Sequence, residues 1–220
     1  MGKIVVVNPN SSAVVTAGIA EALRPFGDHF EVTDLPEGPA TIATEEDVAR
    51  AAIGFAELAQ TRPDALAFVT ACFSDPGLDL ARSLVPQPVI GVQEAGILTA
   101  LGQADLFGII ALSARSIPRH RRRMRMMGVL DRLAGELPLP DVSAEDSGRD
   151  EALYAHLLSL ATQLGEMGAG AVVLGCAGMG PVRARLEADT GLAIIDPVTA
   201  AGGMALARVI DHLPVAGARA

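Results

Sequence analysis

Two strand-like runs that each end in a cysteine stand 104 residues apart: Phe68-Val69-Thr70-Ala71-Cys72 and Val172-Val173-Leu174-Gly175-Cys176. They hold both of the chain's 2 cysteines. At the same offset Val5-Val6-Val7 falls on Ile109-Ile110-Ala111 and Ser12 falls on Ser116, while Val89-Ile90 meets Ile194-Ile195 within one residue of it. Three strand signals recurring in one order point to two lobes of similar topology. The first lobe is expected over residues 1–100 and the second over 101–198, with a C-terminal helix at about 199–212 that can pack back on the first.

The runs Ile4–Val7, Ala65–Ala71, Val89–Val92, Phe107–Leu112, Ala171–Leu174 and Ala193–Ile195 are apolar throughout, as strands of a parallel sheet covered on both faces are. Between them Ala13–Arg24, Glu45–Gln60, Gly77–Leu84, Asp150–Met167, Val182–Asp189 and Thr199–Ile210 carry apolar residues at helical spacing. The alternation predicts an α/β fold, two similar lobes each with a parallel sheet flanked by helices, and an active site in the cleft between them. Pro138, Pro140 and the polar stretch to Arg149 read as a surface loop that could serve as a lid.

Composition narrows the function. A net charge of −9 argues against nucleic acid, whose phosphates require a positive footprint. The basic stretch Arg119–Arg125 dissents, and it reads as a solvated helix face. The apolar run Ile4–Val7 is too short for a signal peptide or membrane helix, so the chain is expected to be cytoplasmic, with no membrane partner. Two cysteines in a reducing compartment are free thiols rather than a disulfide. His29, His120, His156 and His212 are scattered, with no metal-ligand spacing to either thiol.

Ligands of open parallel sheets bind beyond the carboxyl ends of the strands, where both cysteines stand. Asp75 and Pro76 after Cys72, and Pro181 after Cys176, suit an N-cap and helix starts. Each thiol should therefore lie beside backbone amides and the positive end of a helix, surroundings that favour thiolate. Two such groups on opposite faces of a planar carbanion can remove a proton from one side and deliver one to the other. The turns Asn8–Ser12 and Ser113–Ser116 complete a ring of four around one small polar ligand, and no glycine-rich phosphate loop is present.

The segments Asn8-Pro9-Asn10-Ser11-Ser12, Ala71-Cys72-Phe73-Ser74-Asp75-Pro76-Gly77-Leu78, Pro88–Gly91 with Glu94-Ala95, Val173–Met179 and Ile195-Asp196-Pro197 resemble the aspartate/glutamate racemase superfamily, specifically its hydantoin racemase branch. The matches run in order along nearly the whole chain. The resemblance implies two-base racemisation without a cofactor or metal, Cys72 and Cys176 as the acid/base pair, and a homo-oligomer acting on a small-molecule substrate. It also implies that Asn10, Ser74, Ser113 and the backbone amides of Phe73, Ala177 and Gly178 hold the substrate and its developing negative charge.

Glutamate and aspartate racemases typically read Cys-Asn-Thr and Gly-Cys-Thr at these places, whereas this chain has Cys72-Phe73-Ser74 and Gly175-Cys176-Ala177. The departure favours 5-substituted hydantoins or allantoin over free acidic amino acids. The hydantoin branch commonly reads Gly where Ser74 stands, a difference in the expected pocket. Other readings stay open at this point: a decarboxylase or maleate-type cis-trans isomerase on the same scaffold, or a small-molecule binding protein without catalysis.

Overall fold

The computed structural model describes residues 2–140, 142–148 and 150–213; of the expected 138–149 loop, residues 141 and 149 lie outside these. Eight strands and eight α-helices alternate along the described chain. The strands are β1 (Ile4–Asn8), β2 (Phe30–Asp34), β3 (Ala67–Thr70), β4 (Val89–Gly91), β5 (Phe107–Ala111), β6 (Leu133–Pro138), β7 (Ala171–Gly175) and β8 (Ala193–Ile195). The helices are α1 (Ala13–Leu23), α2 (Glu45–Gln60), α3 (Leu78–Leu84), α4 (Val92–Leu101), α5 (Ile117–Met127), α6 (Glu151–Glu166), α7 (Arg183–Thr190) and α8 (Pro197–Arg208).

They build two four-stranded, all-parallel sheets of the same order, β2-β1-β3-β4 and β6-β5-β7-β8. In each sheet the strand ending in cysteine stands third, flanked by the strand that opens the sheet's chain segment and by the short strand that closes it. Topology thus delivers Cys72 and Cys176 to equivalent positions, just past the carboxyl ends of β3 and β7.

Side chains alternate faces along each strand, and here both faces are buried. Ile4 and Val6 of β1 and Val69 of β3 join Ile110, Val172 and Leu174 of the second sheet in one shared core with α1, α6 and α8. The opposite face of the first sheet, through Val5, Val7 and Phe68, packs on Phe55 and Ala59 of α2 and Leu78 of α3. The opposite face of the second, through Phe107, Ile109 and Val173, packs on Ile97 and Ala100 of α4 and Met124 of α5. The C-terminal α8 lies against α4, α1, β3 and β4.

Helix starts are fixed by local chemistry. Ser12 caps α1, accepting from the Val15 amide, and Thr44 with Asp47 forms a reciprocal capping box at α2. Asp150 and Asp196 cap α6 and α8 through the amides of Ala152 and Val198. Asp75 departs from the expectation that it caps the helix following Cys72. Its backbone is left-handed (φ 46°), and its carboxylate accepts from the amides of Gln93 (2.8 Å) and Glu94 (2.9 Å), so it caps α4 instead. Among the described residues no helix is long and apolar enough to cross a membrane.

Candidate active site

The four strand-end turns enclose a cavity of about 490 Å³, its open mouth included. Asn10 enters from the turn after β1, Cys72, Phe73 and Ser74 from the turn after β3, Leu112 and Ser116 from the turn after β5, and Cys176 and Ala177 from the turn after β7. Both cysteines are free thiols, Cys176 buried and Cys72 half-buried. The arrangement brings two thiols, supplied by equivalent turns of the two sheets, to one small space.

The amide of Gly178 donates to the Cys176 sulfur at 3.4 Å, and the Ser147 hydroxyl stands 3.9 Å from it. Asn10 is fixed by two donors on its Oδ1, the Asn8 side-chain amide at 2.8 Å and the Ser12 amide at 2.9 Å. That engagement commits the other end of the Asn10 amide, its Nδ2 donor, to whatever fills the cavity. Asn8 is itself wholly buried, and it also donates to Thr16 Oγ1, which anchors the turn to α1. Phe73 meets the His120 ring edge-on, with centroids 4.9 Å apart.

The backbone amide expected beside a thiol is present at Cys176, through Gly178, but desolvation outweighs it. Burial pushes the Cys72 thiol up to about 12; Cys176 and Asp75 add to the rise, and the Arg119 guanidinium opposes it. Burial likewise raises Cys176, against the Gly178 amide and the Ser147 hydroxyl, which lower it. The helix dipole expected at Cys72 is distant, because α3 begins only at Leu78, beyond the Asp75 turn. Burial thus disfavours the thiolate at both positions.

Two other expected contributors sit differently. Ser113 lies outside the cavity, in a neighbouring depression with Arg115 and Ser143, and its carbonyl accepts from the amide and hydroxyl of Ser116. Ser116 takes the place expected for it. Gly178 acts through its amide on the Cys176 sulfur and does not line the cavity.

Two contributions escaped sequence reasoning, and a third comes from the loop expected over 138–149. Thr41 and Ile42, from the segment before α2, form part of the wall. Ala144 covers the cavity near Cys176, within a segment that also holds Ser147. Arg119 and His120 line the space from α5, so the basic stretch is not a solvated face throughout. Arg121, Arg122 and Arg125 are exposed, whereas Arg119 is 8% and His120 only 1% exposed. The His120 Nδ1 is 2.5 Å from Glu136 Oε1 of β6, a buried partner that makes its burial affordable.

Two parallel-sheet units, each with a cysteine just past the end of its third strand, define a two-lobed α/β scaffold whose strand-end turns line one cavity. The chain belongs to the Asp/Glu/hydantoin racemase family, whose model matches residues 4–205. It is 35% identical over 207 residues to the hydantoin racemase of Paenarthrobacter aurescens, covering 90% of this chain and 87% of that one. Among solved structures it is similar to the allantoin racemase of Klebsiella pneumoniae, with 30% identity and a TM-score of 0.89 over 97% of this chain and 89% of that one. The maleate isomerase Iso of Pseudomonas putida S16 shares the fold, at 16% identity and a TM-score of 0.72 over 96% of this chain and 93% of that one.

Proposed function

We propose that this protein racemises 5-substituted hydantoins or allantoin by two-base proton transfer between Cys72 and Cys176, without a cofactor. The observation that carries the reading is the convergence of both thiols, from equivalent positions in the two sheets, on one cavity.

One cysteine enters the cycle as thiolate and the other as thiol. The thiolate removes the ring proton from the carbon next to the carbonyl, and the electron pair left behind delocalises onto the carbonyl oxygen. The opposite thiol then delivers its proton to the other face. Inversion leaves the two protonation states exchanged, ready for the reverse turnover. Donors are available for the transient oxyanion at Asn10 Nδ2 and at the backbone amides of Phe73 and Ala177. Burial raises the cost of the thiolate, and it also keeps water from quenching the carbanion before the second thiol does.

A neutral ring suits this site better than a free amino acid, because no substrate carboxylate opposes carbanion formation. A decarboxylase on the same scaffold needs a single proton donor, so the presence of two thiols favours racemisation. The same reading carries cytoplasmic residence, where thiols stay reduced, and a homo-oligomer, which rests on the family resemblance.

The test is optical rotation with L-allantoin, L-5-substituted hydantoins and L-aspartate or L-glutamate, using wild type, Cys72→Ser and Cys176→Ser. Decay of rotation with a hydantoin or allantoin, lost in both variants, supports the reading. Full activity in either variant, or no decay with any substrate, overturns it.

A further inference from the structure

We infer that Arg119 is a specificity-determining residue: it binds an acceptor oxygen on the 5-substituent of the substrate, a carboxylate or a ureido carbonyl, and selects against purely alkyl substituents. This rests on the racemase reading above and refines the substrate class.

Arg119 is nine-tenths buried and lines the cavity from α5. Its Nη1 donates to two carbonyl oxygens, Ala43 at 3.2 Å and Arg115 at 3.3 Å, while its Nε is buried with no partner. Among the described residues no carboxylate pairs with it. Two other arginines drawn partly inward are paired with carboxylates, Arg123 with Asp79 and Glu94 and Arg62 with Glu31. A guanidinium withdrawn from water without a counter-charge is costly, and it persists where a ligand completes its shell.

The anions near it are otherwise committed. Burial disfavours the Cys72 thiolate, and the Asp75 carboxyl is held by two backbone amides of α4. Glu136 pairs through Oε1 with His120, and its Oε2 stands 3.8 Å from Arg121 Nε rather than against Arg119. An acceptor carried by the substrate would complete the Arg119 shell.

Position indicates which part of the substrate supplies it. The reacting ring carbon has to lie between the two thiols, and its carbonyl among the donors of the strand-end turns. Arg119 stands outside that ring of turns, on α5, anchored to the Ala43 carbonyl beside Thr41 and Ile42. From there it meets what is attached to the ring carbon rather than the ring. Its fork of donors suits a carboxylate or a ureido oxygen equally, and an alkyl group leaves it unsatisfied.

The experiment compares kcat/KM for L-5-carboxymethylhydantoin, L-allantoin and L-5-isobutylhydantoin in wild type, Arg119→Met and Arg119→Lys. In wild type the carboxymethyl compound, the ureido compound or both should exceed the isobutyl compound by about tenfold or more. Whichever of the two leads distinguishes an anionic from a neutral acceptor. Arg119→Met should shrink that ratio about tenfold or more, chiefly through KM, and Arg119→Lys should recover part of it for the carboxylate. A merely structural arginine would lower all three substrates alike.

The inference is overturned, with the racemase reading intact, if isobutylhydantoin is turned over as well as the others in wild type, or if the ratio survives in Arg119→Met. The wild-type comparison does not depend on either variant folding. Racemisation of none of the three overturns both.

Discussion

The Ser12 hydroxyl donates to Glu145 Oε1 at 2.5 Å, joining residues 133 positions apart. Ser12 caps α1 just past the carboxyl end of the interior strand β1, while Glu145 adjoins Ala144 of the cavity wall. The contact links the Ala144 segment to the turn after β1. Glu145 is exposed, so Glu145→Ala should change stability by no more than about 0.5 kcal/mol. The same change should raise KM roughly threefold to tenfold and speed proteolytic nicking within 142–148. An unchanged KM and unchanged nicking would show that the contact does not hold the segment.

Gly178 tests the same segment from beneath. A methyl group at this position would run into the Ala144 carbonyl oxygen and crowd the Ser147 hydroxyl. Gly178→Ala should displace the segment and lower kcat/KM about tenfold or more, with the melting temperature little altered. Wild-type kinetics in this variant would mean that the segment yields freely.

Much of this architecture is legible in the sequence because burial on both faces leaves a continuous apolar run. β1, β3, β4, β5, β7 and β8 all carry that mark, and the cysteines stand at the ends of two of them. β2 (Phe-Glu-Val-Thr-Asp) and β6 (Leu-Ala-Gly-Glu-Leu-Pro), at one edge of each sheet, do not, since each mixes polar residues into a half-covered strand. α4 escaped for the opposite reason: enclosed between the sheets and α8, it has too little polar face to mark a helical period. Arg119 and His120 were hidden by their company, because four of the residues at 121–125 are arginines that suit a solvated helix. Their burial depends on Glu136 and on the 41–43 segment, which only the tertiary fold brings near.

The His120–Glu136 pair is enclosed on both sides, with 1% and 0% of the two side chains exposed. Removing one partner strands the other in a dry interior. His120→Leu should cost about 3–5 kcal/mol in urea unfolding, whereas the double change to Leu and Met should cost much less. Equal losses in the single and double variants would show that the pair is not coupled.

Asp75 links stability to pH. Burial raises its carboxyl to about 7 in the folded protein, from an ordinary 3.8, against the two α4 amides that lower it. The folded state thus holds this proton more firmly than the unfolded one, so the contribution is full below about 3.8 and is lost as pH climbs towards 7. Relative to Asp75→Asn, the wild-type melting temperature should fall by several degrees between those limits. Parallel curves for the two proteins would contradict it.

Because burial raises both thiols, the reactive thiolate is scarce at neutral pH. kcat/KM, corrected for uncatalysed racemisation, should climb with pH from 7 to 9 in proportion to hydroxide. A flat profile over that range would mean that one thiol is already ionised in the free enzyme.

The paired-thiol account is tested most directly by following loss of the ring α-proton in D2O by proton NMR, starting from each enantiomer in turn, with Cys72→Ser and Cys176→Ser. Each variant should lose racemisation by a factor on the order of 100 or more. Residual exchange should be confined to one enantiomer, and to opposite enantiomers in the two variants. Exchange of both enantiomers by a single-cysteine variant, with racemisation retained, would contradict a mechanism that needs one thiol on each face.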